Sequence, residues 1–151
     1  MIELKVFSSS FENGGIIPAK FTCDGENISP DLNWEGVPKG SKSLALICDD
    51  PDAPSGDFVH WVVFNIPADI DSFEENAEIS NIADLGITDY GHPGYGGPCP
   101  PSGFHHYHFK VYALDEILSA ESNIDKYELL KEMEGHILAK GELVGLYKRI
   151  R

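Results

Sequence analysis

Two histidines, an aspartate and a run of glycine and proline carry most of the chemistry this chain can do. His60 stands inside the apolar run Val59-His60-Trp61-Val62-Val63-Phe64, and His105 opens His105-His106-Tyr107-His108-Phe109. Strand alternation puts His60 on the face of Val62 and Phe64. It puts His105 and Tyr107 on the face of Phe109, Val111 and Ala113, with His106, His108 and Lys110 turned away. A polar group on a core face needs a partner. Asp50 closes another apolar run and opens Asp50-Pro51-Asp52-Ala53-Pro54, which reads as a turn when taken alone. Gathered at one end of a sheet, these groups would form an anion site. Imidazoles donate hydrogen bonds, more strongly when protonated. Asp50 would hold one histidine in its donating tautomer, or accept from a protonated phosphate oxygen or an ammonium. Affinity for the anion is then expected to fall as pH rises through the histidine range. Cys99 or Ser102 with His60 or His105 and Asp50 supplies the parts of a nucleophilic triad. However, no G-x-S-x-G elbow is present, and Cys99 has no helix N-terminus near it. The cluster His105-His106-x-His108 suggests a metal, but alternation splits it and no further ligand stands at suitable spacing, so neither metal nor cofactor is expected.

The elements that must position these groups are strands. Candidates lie at residues 3–7, 20–23, 32–34, 43–49, 58–66, 104–114 and 142–149. The runs at 44–48 and 59–64 are apolar on both faces and predict central, buried strands. One main helix is predicted near 125–139, capped by Asp125 or Asn123, with a stripe of Tyr127, Leu130, Met133 or Glu134, Ile137 and Leu138. Gly141 would follow its end. Residues 67–103 form a long connection whose second half is almost all glycine, proline and aromatic, which predicts a rigid, functional loop. Its amides between Gly91 and Gly97 could cup an anion. At least one cis X–Pro bond is expected among Pro54, Pro98, Pro100 and Pro101. The resulting class is an all-β-dominated single domain of two packed antiparallel sheets with one main helix and short helical turns.

The 151 residues suit one domain, and 42% hydrophobic content is that of a globular chain. A net charge of −14 repels polyanions, which argues against nucleic acid and against an anionic lipid surface. No apolar run is long enough to span a bilayer, so no integral membrane association is expected. The N-terminus alternates like a strand and lacks a signal-peptide core, which leads to an expected cytoplasmic location. Three cysteines, Cys23, Cys48 and Cys99, fit no metal spacing. Reduced thiols are expected, Cys48 buried and inert, Cys23 and Cys99 accessible.

Two blocks sharpen this. Asp50-Pro51-Asp52-Ala53-Pro54 followed by His60-Trp61-Val62-Val63-Phe64-Asn65-Ile66-Pro67 resembles the first signature region of the phosphatidylethanolamine-binding protein family. Gly97-Pro98-Cys99-Pro100-Pro101-Ser102-Gly103 followed by His105-His106-Tyr107-x-Phe109-x-Val111-Tyr112-Ala113-Leu114 resembles the second. The stretches at 22–30 and 141–147 are similar to its short bacterial and archaeal, Raf-kinase-inhibitor-like branch. The resemblance implies a two-sheet β-fold with a small cavity for phosphate-like anions or phosphorylethanolamine headgroups. Carried over by position, that cavity would use Asp50, Pro54, His60, Gly97, Pro98, His105 and Tyr107. Where many members read His-Arg-Tyr, this chain has His105-His106-Tyr107; with His106 facing away, a changed surface contact and an intact site are expected. The chain ends at Arg151, without the C-terminal helix of eukaryotic relatives, so a more open cavity is expected on that side. The resemblance further implies a binding protein and not an enzyme, with a kinase or protease as possible protein partner and a homodimer as possible assembly.

Overall fold

The structure is a computed structural model describing residues 2–150. In chain order its strands are β1 (Ile2–Glu3), β2 (Lys5–Phe7), β3 (Leu32–Glu35), β4 (Ser43–Asp50), β5 (Phe58–Pro67), β6 (Ser72–Phe73), β7 (Asp84–Leu85), β8 (His105–Leu114) and β9 (Ile137–Tyr147), with helix α1 (Lys126–Met133) between the last two. Short 3-10 turns lie at Ala19–Phe21 and Ile79–Asn81. Six strands form one sheet in the order β1-β9-β8-β4-β5-β7, and three form a second, β2-β3-β6. The all-β, two-sheet class read from the sequence is the one observed. Pairing is antiparallel except between β1 and β9, which run parallel.

The larger sheet is covered on both faces. Leu44, Leu46, Cys48, Trp61, Val63, Tyr107, Phe109 and Val111 meet Trp34, Leu32 and Phe73 of the smaller sheet in the main core. Ala45, Ile47, Val59, Val62 and Phe64 form a second core with Leu114, Leu118 and, from α1, Leu129 and Met133. Burial on both faces explains why β4 and β5 read as continuous apolar runs; each fully buried large side chain stabilises by about 1.5–3 kcal/mol.

Four readings of local structure are corrected. The strand expected at 3–7 breaks at Leu4 and switches sheets: Ile2 and Glu3 pair with β9, Lys5 to Phe7 with β3. Residues 20–23 curl into a 3-10 turn and bend because Pro18 precedes them and Thr22 Oγ1 bonds Ala19 O (2.8 Å). The helix stops at Met133, because Gly135 takes a left-handed conformation (φ +82°) and Ile137 onward pairs with β8. Its inward side is Lys126, Leu129 and Met133, whereas Tyr127 is 60% exposed. Gly141 is therefore no helix cap; it lies in β9, where a Cβ would stand 2.1 Å from Leu4 O. No cis peptide occurs among the described residues, and the proline-rich loop turns instead at glycines with positive φ, Gly91, Gly94 and Gly103.

The helix does start at Asp125, whose carboxylate accepts from Glu128 N (2.8 Å) while Glu128 Oε1 accepts from Asp125 N (3.2 Å). Both orphan amides are answered, so Asp125→Ala is expected to cost about 1 kcal/mol, read as a shift in urea midpoint at constant slope.

Candidate functional site

The ends of β4, β5 and β8 meet the proline-rich loop around a cavity of about 450 Å³. Asp50 and His105 enter it from the ends of neighbouring strands, and Tyr107 follows two residues on along β8. His60 arrives by a different route from the one alternation implies. Asp49 pairs with Val59 and Cys48 with Trp61, so His60 is an extra residue in a β-bulge. The bulge turns it away from Val62 and Phe64, which lie in the helix-side core, and sets its ring 5.2 Å from Tyr107, edge to face. Phe58 and Tyr90 close around the same imidazole at 5.0 and 5.5 Å.

Both cavity histidines are held through Nδ1. His60 Nδ1 lies 2.7 Å from Gly96 O, and a carbonyl only accepts, so this nitrogen carries the proton. His60 Nε2 is buried and has no partner. Burial pushes the His60 pKa below its ordinary value, outweighing the pull of the Gly96 carbonyl and of Asp50, Asp49 and Asp89. His105 Nδ1 lies 2.6 Å from Asp50 Oδ2, and Asp50 Oδ1 accepts from Asp52 N (2.8 Å). Both carboxylate oxygens of Asp50 are thus engaged within the protein, so it orients His105 and holds its own turn. Tyr107 is buried, and desolvation first, then Asp50, pushes its hydroxyl far above the usual range; it keeps its proton at any working pH.

Of the residues singled out in the sequence, Asp50, Pro54, His60, His105 and Tyr107 line the cavity. Gly97 and Pro98 do not. They form the layer behind: Gly97 N donates to Asn27 Oδ1 (2.8 Å), Gly97 O accepts from Tyr90 OH (2.7 Å), and Pro98 O accepts from Cys23 N (3.1 Å). A Cβ on Gly97 would come within 2.3 Å of Phe21 O, which is why the loop needs glycine there. Three of the loop amides expected to cup an anion are engaged within the protein, that of Gly97 as just described. Gly91 N bonds Thr88 O and Gly96 N bonds His60 O.

Further lining comes from Ala53, Ser55, Phe58, Tyr90, Cys99, Pro100 and Pro101. Tyr90 left a faint trace in the sequence, since its ring rests on Gly96, where a Cβ would be 2.3 Å away. His106 faces outward as alternation requires, yet it is not idle. Its backbone N and its Nδ1 both reach Asp52 Oδ2, at 2.8 and 2.7 Å, and so fasten the turn that presents Asp50.

The cysteines correct another expectation. Cys23 and Cys99 are joined by a disulfide, Cα–Cα 5.4 Å, that ties the cavity wall to the turn after Phe21. Their sequence separation of 76 hid the contact. Cys48 is free and buried, its thiol pushed well above the ordinary range by desolvation. A larger groove of about 680 Å³ runs beside β1, β2 and β9, lined by Glu3, Lys5, Lys110, Lys140 and Glu142 among others. It holds no buried polar atom lacking a partner, so the chemistry points to the smaller cavity. No cluster of three or more His, Cys, Asp or Glu able to hold a metal is found among the described residues.

A two-sheet β protein with a histidine-lined cavity at the strand ends is the class that fold and site define. Residues 7–148 match the phosphatidylethanolamine-binding protein family, and the chain belongs to that family. It is 54% identical over 144 residues to a UPF0098 protein of Methanothermobacter thermautotrophicus, covering 93% of this chain and 95% of that one. It is 49% identical over 153 residues to a UPF0098 protein of Aquifex aeolicus, covering 97% and 89%. Among solved structures it is similar to a protein from Chlamydia trachomatis described as a homologue of the phosphatidylethanolamine-binding proteins, with TM-score 0.93, 40% identity and coverage of 99% and 100%. Escherichia coli YbcL, described as a new member of the mammalian family, matches with TM-score 0.90, 34% identity and coverage of 98% and 99%. No helix among the described residues is long and apolar enough to cross a membrane.

Proposed function

We propose that this protein binds a small phosphate-bearing ligand in the His60–His105–Tyr107 cavity and does not transform it. The observation that carries this reading is His60 Nε2, a buried polar atom without a partner in a residue that lines the cavity. Such an atom costs free energy unless something arrives to meet it. Binding is favoured over turnover by the state of the two candidate nucleophiles. Cys99 Sγ is bonded to Cys23, and Ser102 is outside the cavity lining. The cavity's polar groups are few and fixed, set among prolines and aromatic rings, as in sites that orient a small ligand.

Calorimetric titration with phosphorylethanolamine tests the reading. His60→Ala and His105→Ala are each expected to weaken binding by about 10- to 150-fold, the worth of one hydrogen bond to a charged group, roughly 1.5–3 kcal/mol. The far-ultraviolet spectrum should be unchanged. Absence of heat with the native chain, or release of phosphate from the ester, would overturn the proposal.

A further inference from the structure

The cavity presents an unusual balance of donors and acceptors for an anion site. His60 donates through Nδ1 to the Gly96 carbonyl, so Nε2 offers a lone pair. His105 donates through Nδ1 to Asp50, which fixes the ring's orientation towards the cavity. No lysine or arginine lines the cavity, and Pro54, Pro100 and Pro101 have no N–H to give. Tyr107 and Ser55 bring hydroxyl donors to the lining, the Tyr107 ring lying 5.2 Å from that of His60 and 6.4 Å from that of His105.

We propose that this cavity, on the reading that it binds phosphate, selects a phosphate that still carries a proton, the monoanion of a phosphomonoester, and rejects sulfate and phosphodiesters. A phosphomonoester monoanion has one P–OH and two anionic oxygens. The P–OH donates to His60 Nε2, and an anionic oxygen accepts from Tyr107 OH. Sulfate and a diester have only acceptor oxygens, so one of them would face the His60 lone pair. A site built to pair with a ligand's hydrogen rejects the analogue that lacks it, because its own buried group is left unmet. The same balance disfavours the intact diester headgroup of a phospholipid as the group held at His60.

Protonating His60 instead would place a cation in a buried site. Gly96 O, Asp49, Asp50 and Asp89 favour that cation, and the rings of Phe58, Tyr90 and Tyr107 enclose it. Desolvation outweighs the favourable groups and lowers the ring's pKa, which favours the neutral form. Around His105 the facing groups are Asp50, Asp52 and Tyr107, with Tyr147 opposite it on β9 and bonded to Asp24. At His60 the ligand is thus the source of the proton, and at a pH where it is a dianion, binding must take one up.

Calorimetry on the native chain decides this with four probes: phosphorylethanolamine, glycerophosphorylethanolamine, inorganic phosphate and sulfate. The first two share the ammonium and differ in ester number. At pH 6 the monoester and inorganic phosphate are expected to bind at least tenfold more tightly than the diester and sulfate. The second pKa of a phosphomonoester is about 6, so affinity for phosphorylethanolamine should fall towards tenfold per unit above it. Titration at pH 8 in two buffers of different ionisation heat should then show one proton taken up. Sulfate or diester binding within threefold of the monoester at pH 6 would mean that an imidazolium does the donating, and would overturn the inference while leaving the binding site standing. So would affinity unchanged between pH 6 and 8. If none of the four probes bound, both the proposed function and this inference would fall.

Discussion

Reducing the bond between Cys23 and Cys99 is expected to destabilise the fold by about 4 kcal/mol, since closing a loop of this length in the unfolded chain removes between about 3 kcal/mol (15 residues) and 4.7 kcal/mol (100 residues). The effect should sit almost wholly in the unfolded state. The folded loop has other anchors at the same place: Cys23 N to Pro98 O, Tyr95 OH to Phe21 O at 2.7 Å, and Gly97 N to Asn27 Oδ1. The cavity wall should therefore keep its shape when the sulfurs part, and phosphorylethanolamine affinity should change by less than threefold. Urea unfolding of the double variant Cys23→Ser/Cys99→Ser, beside native protein with and without reductant, measures this. The midpoint temperature should fall by about 10 °C, given roughly 2–4 °C per kcal/mol at this chain length. A loss under 1 kcal/mol would mean that the bridge is incidental. A thiol pair that oxidises in the cell points to an oxidising compartment, or to an organism whose intracellular proteins carry disulfides.

What the sequence disclosed and what it hid divide along one line. Patterns local to one strand were legible: the buried runs of β4 and β5, the alternation of His105, Tyr107 and Phe109, and the Asp125 cap with Glu128 three residues on. Features that depend on a partner strand or a distant loop were not. The bulge that swings His60 into the cavity exists because β4 and β5 fall out of step between Cys48 and Asp49. A second slip at Asn65, φ +53°, returns Ile66 to the main core. Neither is visible in one strand read alone, and assuming strict alternation placed His60 on the wrong face. The helix ends short of residue 139 for a related reason. Ile137 and Leu138 continue a helical stripe on paper, but β8 offers them a ladder, and Gly135 makes the break. Cysteine pairing is a property of the folded contact, and spacing could not disclose it. Of the residues carried over from the family resemblance, Asp50, Pro54, His60, His105 and Tyr107 line one cavity, whereas Gly97 and Pro98 stand one layer behind it.

Replacing Lys126 with methionine is expected to cost about 3 kcal/mol, the lower end of the 3–5 kcal/mol that follows when one partner of a buried ion pair is removed. At the end of β4, alternation sends Asp50 to the cavity and its neighbour Asp49 to the opposite face, under α1. Asp49 has a side chain only 1% exposed, and its Oδ2 accepts from Lys126 Nζ at 2.7 Å and from Lys110 Nζ at 3.1 Å. Lys126 also meets Asp57, so the first residue of the helix is clamped to two strand ends. Burial alone would lower the lysine pKa, but the hydrogen bonds it donates to Asp49 and Asp57, with the charges of both carboxylates, outweigh burial and raise the pKa above its ordinary 10.5. This contribution is therefore complete below that pH and is lost only as pH rises through the folded-state value. Methionine fills the space of the stem and removes the charge, so Asp49 keeps a single, longer bond to Lys110, whose side chain is 30% exposed. That remaining partner is why the lower figure is expected. The helix should also loosen, since Leu129 and Met133 dock on the same face. Adding Asp49→Asn removes the stranded charge, so the double variant should recover at least 1 kcal/mol over Lys126→Met alone, a coupling that only neighbouring groups show. Phosphorylethanolamine affinity should be unaffected in both variants, because the sheet separates Asp49 from the cavity. Additive losses in the urea series, with no recovery in the double variant, would mean that packing of the lysine stem, and not its charge, holds the helix in place.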